Sequence, residues 1–199
     1  MLQYLAWAPA GANEFAEGKL LKYFYYIIAL VVFALDQLTK KIIVWNVELW
    51  EQVSVIGNFF LITHVLNRGA AFSMLQGASA LFIAITTVVV IGIVWYMEKN
   101  KRTGSSLLLT GLGLVLGGAI GNFVDRLFLG HVVDFLQFNF GSYTFPIFNV
   151  ADMGITFGVA LILLDSLLDV RRAKAQSELN GESTPHDIQP GNEADEPAR

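Results

Sequence analysis

The chain has 199 residues, 54% hydrophobic and only 15% charged, with a mean hydropathy of +0.54, a balance that excludes an ordinary soluble domain and points to a membrane protein. The net charge of -4 resides in residues 173–199, where two basic side chains meet six acidic ones; the remainder is neutral and has no basic stripe, which argues against a nucleic-acid partner. There is no cysteine, so thiol catalysis, disulfides and thiolate metal sites are excluded.

Residues 1–18 carry Glu14 and Glu17 and no basic residue. They lack the positive n-region of a signal peptide and read as a cytoplasmic N-terminal extension. A first apolar run covers Leu20 to Lys40, with Asp36 and Lys40 near its far end. The loop 41–77 follows. Its stretch 53–65 is rich in β-branched and aromatic residues and predicts a short hairpin turning at Gly57-Asn58. The next two apolar runs, Ala78–Met97 and Ser105–Val124, are each 20 residues long and uncharged. The third run carries Gly113, Gly117 and Gly121 on one helix face, a spacing that lets helices pack closely in lipid. The fourth, Ile147–Leu164, is interrupted only by Asp152. About 20 apolar residues cross a bilayer as a helix, and continuous apolar runs favour helices over barrel strands. The expectation is an all-α integral membrane protein with a four-helix domain over 19–172. The stretch 173–199, rich in Glu, Asp, Pro and Gly, reads as a disordered acidic cytoplasmic tail.

Orientation follows from Lys and Arg. Lys19, Lys22, Lys99, Lys101, Arg102, Arg171, Arg172 and Lys174 fall on one side, against Lys40, Lys41, Arg68 and Arg126 on the other. The positive-inside rule places both termini in the cytoplasm. Asp36, Asn67, Arg68, Asp125, Asp134 and Asp152 then gather at the outer surface, with Asp152 one to two turns into the fourth span. An ionised group at mid-bilayer costs about 2.5–3.5 kcal/mol and is functional by default. A second carboxylate nearby, Asp134, supplies the chemistry: two acids that share a proton can hydrolyse a peptide bond.

Plainer readings stand beside this one. Asp36 and Lys40, at i and i+4, read as a structural ion pair at a span end. Asp125-Arg126 reads as a structural pair or cap, and Asp152 has Arg126 as an alternative partner. Asn122 and Asp125, and Asn149 and Asp152, share an i, i+3 spacing, so each Asn can orient its Asp or hold a substrate carbonyl. His64, His131 and His186 are scattered without metal-ligand spacing. A proton- or ion-coupled transporter is the main rival, but spans two and three carry no acid inside. A non-catalytic assembly subunit leaves the outer Asn and Asp residues unexplained.

Five motifs in order carry a resemblance. They are Asp36-Gln-x-x-Lys40, Asn67-x-Gly-Ala-Ala-Phe72-Ser73, Gly117-Gly-Ala-x-Gly-Asn122-x-x-Asp125-Arg126, His131-Val-Val-Asp-Phe135 and Phe145-Pro-x-Phe-Asn149-x-Ala-Asp152. Over about residues 23–169 the chain resembles the lipoprotein signal peptidases, or signal peptidase II. The resemblance implies a bacterial inner-membrane aspartyl endopeptidase with four transmembrane helices and a small extracytoplasmic β-cradle. Such an enzyme removes signal peptides from diacylglyceryl-modified prolipoproteins, cutting before the lipidated cysteine. By motif position Asp134 and Asp152 match the catalytic dyad. Asn67, Asn122, Arg126 and Asn149 match residues that bind substrate or globomycin-type inhibitors. Asp36, Lys40 and Asp125 match structural polar positions. The resemblance implies no metal and no cofactor. Met153 departs from the pattern, since many relatives have Ser there.

Overall fold

The computed structural model describes residues 12–69 and 79–181. Most of the Phe72-Ser73 motif, His186 and residues 182–199 of the expected tail lie outside the described residues, as do residues 1–11 of the N-terminal extension. The chain forms two units, Met1–Asp165 and Ser166–Arg199.

The first unit contains α1 (Ala12–Asn46), β1 (Gln52–Ile56), β2 (Phe60–Asn67), α2 (Ser79–Asn100), α3 (Ser106–Leu129), β3 (Val132–Phe140), β4 (Tyr143–Thr144) and the start of α4 (Val150–Gly181). Among the described residues three helices are long and apolar enough to cross a membrane: Ser79–Asn100, Ser106–Leu129 and Val150–Glu178. α1 is interrupted by Asp36, Lys40 and Lys41, yet it presents Leu30, Val31, Leu35 and Leu38 outward.

α3 is the axis of the helical layer. Ser105 caps its start by accepting from the Leu108 N–H at 3.1 Å, satisfying a donor that the first turn leaves free. Gly130, in the left-handed region at φ 74°, ends it with its N–H on Arg126 O, a conformation that glycine adopts at little cost. Between these ends the glycines let backbones meet. A Cβ at Gly113 would lie 2.6 Å from Tyr25 O of α1. The opposite face, through Gly111 and Gly118, takes Gly158 and Ala151 of α4. The expected packing role of Gly113, Gly117 and Gly121 is what the structure shows.

The sheet is antiparallel, in the order β1-β2-β3-β4. Its first hairpin turns at Gly57 (φ 50°), where the residues predicted it. β3 and β4 were expected as loop. In β3 the run Asp134-Phe-Leu-Gln-Phe-Asn alternates only in part, and the strand is completed by pairing with β2, Val65 to Asp134 and Asn67 to Val132. A bulge between Ile62 and Val65 shifts the register and turns consecutive Thr63 and His64 inward.

Two boundaries differ from the sequence reading. α3 runs past Val124 through Asp125 and Arg126 to Leu129. α4 begins at Val150 rather than Ile147, so Asp152 lies in the first turn and not one to two turns inside. In the second unit, α4 continues through Gly181, so residues 173–181 are helical. There Arg172 pairs with Asp169 at 3.2 Å and Lys174 with Glu178 at 4.0 Å; such exposed pairs contribute little.

Candidate active site

Asn149 and Asp152 begin α4 as a reciprocal cap. Asn149 Oδ1 accepts from the Asp152 N–H at 3.0 Å, and Asp152 Oδ2 accepts from the Asn149 N–H at 3.3 Å. This is a capping box built from Asn and Asp. It fixes the Asp152 carboxyl at a helix N-terminus, where negative charge is favoured. The other oxygen, Oδ1, accepts from Asn122 Nδ2 of α3 at 2.7 Å.

Asp134 comes from the sheet and is only 2% exposed. Its Oδ2 accepts from Asn67 Nδ2 on β2 at 2.8 Å, and its Oδ1 from Asn149 Nδ2 at 2.6 Å. Asn149 is therefore the bridge between the two acids: its side-chain NH₂ donates to Asp134 Oδ1, and its backbone N–H donates to Asp152 Oδ2. Expected as a substrate contact, it is 0% exposed. Burial, then the charge of Asp152, pushes the Asp134 carboxyl up to about 7, against the pull of Asn67 and Asn149.

Behind the acids lies a second polar layer. Lys40 Nζ contacts Asp36 Oδ2 and Asp125 Oδ2, each at 2.8 Å, and donates to Asn122 Oδ1 at 2.9 Å. The ammonium has three N–H groups, and all three are used. The expected Asp36–Lys40 pair is present, and Asp125 joins it. Lys40 also determines the Asn122 amide orientation: the oxygen faces the cation, so the NH₂ faces Asp152. Asp36 Oδ1 accepts from the Ala151 N–H at 2.9 Å, satisfying another free donor of the first turn of α4. Gln37 Nε2 donates to Asp125 Oδ1 at 2.9 Å. Sequence reasoning gave Gln37 no role, although the motif Asp36-Gln-x-x-Lys40 contains it.

Arg126 donates to Gly69 O at 3.1 Å and Asn122 O at 3.4 Å, and its guanidinium stacks 5.0 Å from the Phe82 ring centre. Asp134, Asp152, Asn67, Asn122 and Arg126 all line one cavity of about 1170 Å³, walled by Trp50 and Phe145. A smaller cavity of about 330 Å³, lined by Phe82, Ile85, Val89 and Ala119, also reaches Asn122, Arg126 and Asp152. Among the described residues no cluster of three His, Asp or Glu side chains is arranged to hold a metal. Asp134 and Asp152 thus open on one cavity and are linked through Asn149.

The family described as Signal peptidase (SPase) II matches residues 28–168. The chain is 50% identical over 151 residues to a lipoprotein signal peptidase of Bacillus pumilus (strain SAFR-032), covering 76% of this chain and 97% of that one. It is 47% identical over 152 residues to a lipoprotein signal peptidase of Halalkalibacterium halodurans, with the same coverage of 76% and 97%. A solved bacterial membrane enzyme structure, determined by the in meso method at 2.3 Å resolution, superposes with a TM-score of 0.68 at 37% identity, covering 74% of this chain and 89% of that chain.

Proposed function

The chain belongs to the signal peptidase II family and removes signal peptides from prolipoproteins; from that premise we propose that it does so as an aspartic endopeptidase with Asp134 and Asp152 as its dyad. The observation that carries this reading is Asn149, whose side-chain NH₂ donates to the Asp134 carboxyl while its backbone N–H donates to the Asp152 carboxyl, joining two acids of distant sequence beside one cavity.

Asp152 is the general base. It sits at a helix N-terminus, with a backbone N–H and the Asn122 amide as donors. Asp134, held near neutrality by burial, is the acid. Asp152 takes a proton from water as the water oxygen attacks the scissile carbonyl. Asp134 donates its proton to the carbonyl oxygen. When the tetrahedral intermediate collapses, the departing amine takes the proton from Asp152, and Asp134 recovers its own from the new carboxyl group. No cofactor enters these steps.

Asn67 and Arg126, at the cavity wall, hold the substrate backbone. Asn122 and Asn149 act on substrate through the carboxyls they orient. Asp36, Lys40 and Asp125 keep that scaffold in register. The same cavity is the site for globomycin-type inhibitors.

The substrate carries a diacylglyceryl cysteine, and cleavage falls just before it. Each acyl CH₂ in the bilayer contributes about 0.8 kcal/mol of anchoring, part of which offsets the ordering of an extended peptide across the acids. α1 serves as the fourth span, in keeping with the apolar run Leu20–Lys40 and its outward apolar face. The protein lies in the bacterial inner membrane with both termini cytoplasmic and the site near the outer face, as the basic residues favour.

The test is incubation of the purified protein with a diacylglyceryl-modified prolipoprotein and with its unmodified counterpart in the same membrane. Cleavage of the modified form, absent in Asp134→Asn, is expected. Equal cleavage of both forms removes the lipid-positioning account. Substantial turnover by Asp134→Asn removes the dyad.

A further inference from the structure

Among the described residues, three of the four with positive φ are glycines, Gly57, Gly130 and Gly141, and the fourth is Trp50 at 68°. The Glu51 N–H donates to Glu48 O at 3.0 Å, closing a four-residue turn with Leu49 and Trp50 at its centre. A positive φ at the third position alone makes this a type II turn, and that position favours glycine because a Cβ is crowded there. A tryptophan in this conformation is strained, and such strain persists only where the surroundings hold it.

The surroundings do hold it. The Trp50 N–H donates to His64 O at 2.9 Å, and the Glu48 N–H donates to the Glu51 carboxylate at 2.8 Å. Thr63 Oγ1 donates to Glu51 O at 2.7 Å. All of this fixes the backbone and none of it uses the indole, which is 65% exposed. Core packing therefore does not offset the strain. An interfacial anchor does not account for it either, because Trp45 offers an exposed indole from regular helix without strain. Trp50 differs in lining the large cavity, beside Leu49 and Phe145, whose apolar side chains are also exposed. Polar groups for a peptide backbone lie on the same cavity at Asn67 and Arg126. The exposed apolar rim matches the other part of a lipidated substrate.

We propose that Trp50 is a specificity residue whose indole forms the wall on which the acyl-bearing group of the substrate packs beside the acids. This rests on the peptidase reading above. The turn fixes the main chain from which the indole projects before substrate arrives, so binding does not have to order that segment of backbone.

The experiment compares Trp50→Ala, Trp50→Phe and Trp50→Gly with the unaltered protein on two prolipoproteins, one carrying a dipalmitoylglyceryl cysteine and one a dihexanoylglyceryl cysteine. Trp50→Ala and Trp50→Gly are expected to raise KM about tenfold on the long-chain substrate, with little change on the short-chain one and an unchanged kcat. Trp50→Phe retains most of the preference. Trp50→Gly also raises Tm, because glycine relieves the turn. An unchanged KM overturns the proposal. An equal rise for both substrates overturns it in favour of a peptide contact. Loss of Tm and kcat together in Trp50→Gly overturns it in favour of a structural role. An unaltered protein that cuts neither substrate overturns the peptidase reading and the proposal with it.

Discussion

Two acids on α4 have opposite surroundings. Asp152, in the first turn, touches Asn122 and Asn149, shares Asn149 with a second acid and opens on a cavity. Asp165 is buried, at 5% exposure. Its partner is Ser105 Oγ, which donates to it while accepting from Leu108 N–H as the cap of α3. Asp165 thus joins the start of one helix to the flank of another. A place on an apolar helix is shared by both. What separates Asp152 from Asp165 is a second carboxyl within the same hydrogen-bonded group and a cavity beside them.

The largest effects expected are on the reactive side. Asp134→Asn and Asp152→Asn each lower kcat by at least about 10³-fold, and the double variant is no worse than either single, because residues acting as a unit are not additive. Asp165→Asn, measured in the same cleavage assay, keeps its kcat. If Asp165→Asn matched Asp152→Asn with its Tm intact, the distinction would collapse.

Lys40→Met sharpens the contrast, because it breaks a buried charge cluster behind the reactive acid. Removing one partner of such a cluster costs about 3–5 kcal/mol, read from thermal unfolding in detergent. The variant also frees the Asn122 amide to turn its oxygen toward Asp152, so kcat per folded molecule falls. A loss of stability with full kcat would confine Lys40 to a structural role.

A pH series tests Asp134. The unfolded carboxyl titrates near its ordinary 3.8 and the folded one near 7. Between these values the folded chain holds a proton that the unfolded chain has released. This contribution to stability is therefore complete below 3.8, lost as pH rises toward about 7, and constant above. If Asp134 is the general acid, kcat also falls as pH rises through about 7. Asp134→Asn should flatten the stability profile; an unchanged slope assigns it to other groups.

Ser105→Ala gives the smallest effect. Losing the cap costs about 0.5–2 kcal/mol and leaves Asp165 without its hydroxyl partner. KM and kcat stay as they were. A change in either would connect the far end of α3 to the chemistry.

Much of this was legible in the residues. The uncharged runs of α2 and α3 could hardly be anything but buried or lipid-facing helix, and Gly57-Asn58 announced its turn. The polar residues of the site were identified from motif order. The missing parts depend on three-dimensional crossings. That Lys40 meets Asp125 and Asn122 follows from how α1 crosses α3, which no local spacing encodes. Asp152 was placed too deep because Ile147 and Phe148 continue the apolar run, whereas the Asn149–Asp152 spacing also fits a capping box. β3 was missed because Val132-Val133 and Phe135-Leu136 break strict alternation. Trp50 carried only the general preference of aromatic residues for the membrane interface; its turn was hidden, since that position ordinarily asks for glycine.

The i, i+4 placement of Asp36 and Lys40 also matters for biosynthesis. α1 leaves the ribosome first, long before Asn122, Asp125 or Ala151 exist. Its ammonium and carboxylate lie one turn apart and contact at 2.8 Å, so the helix brings its opposite charges together as a neutral couple. Asp125 arrives with α3 and leaves the trio with one excess negative charge. The last helix meets that excess with its N-terminus, where the Ala151 N–H reaches Asp36 and the dipole amounts to roughly half a positive charge. Charge neutrality is thus approached in the order of synthesis, and the helix that completes it is the one that delivers Asp152.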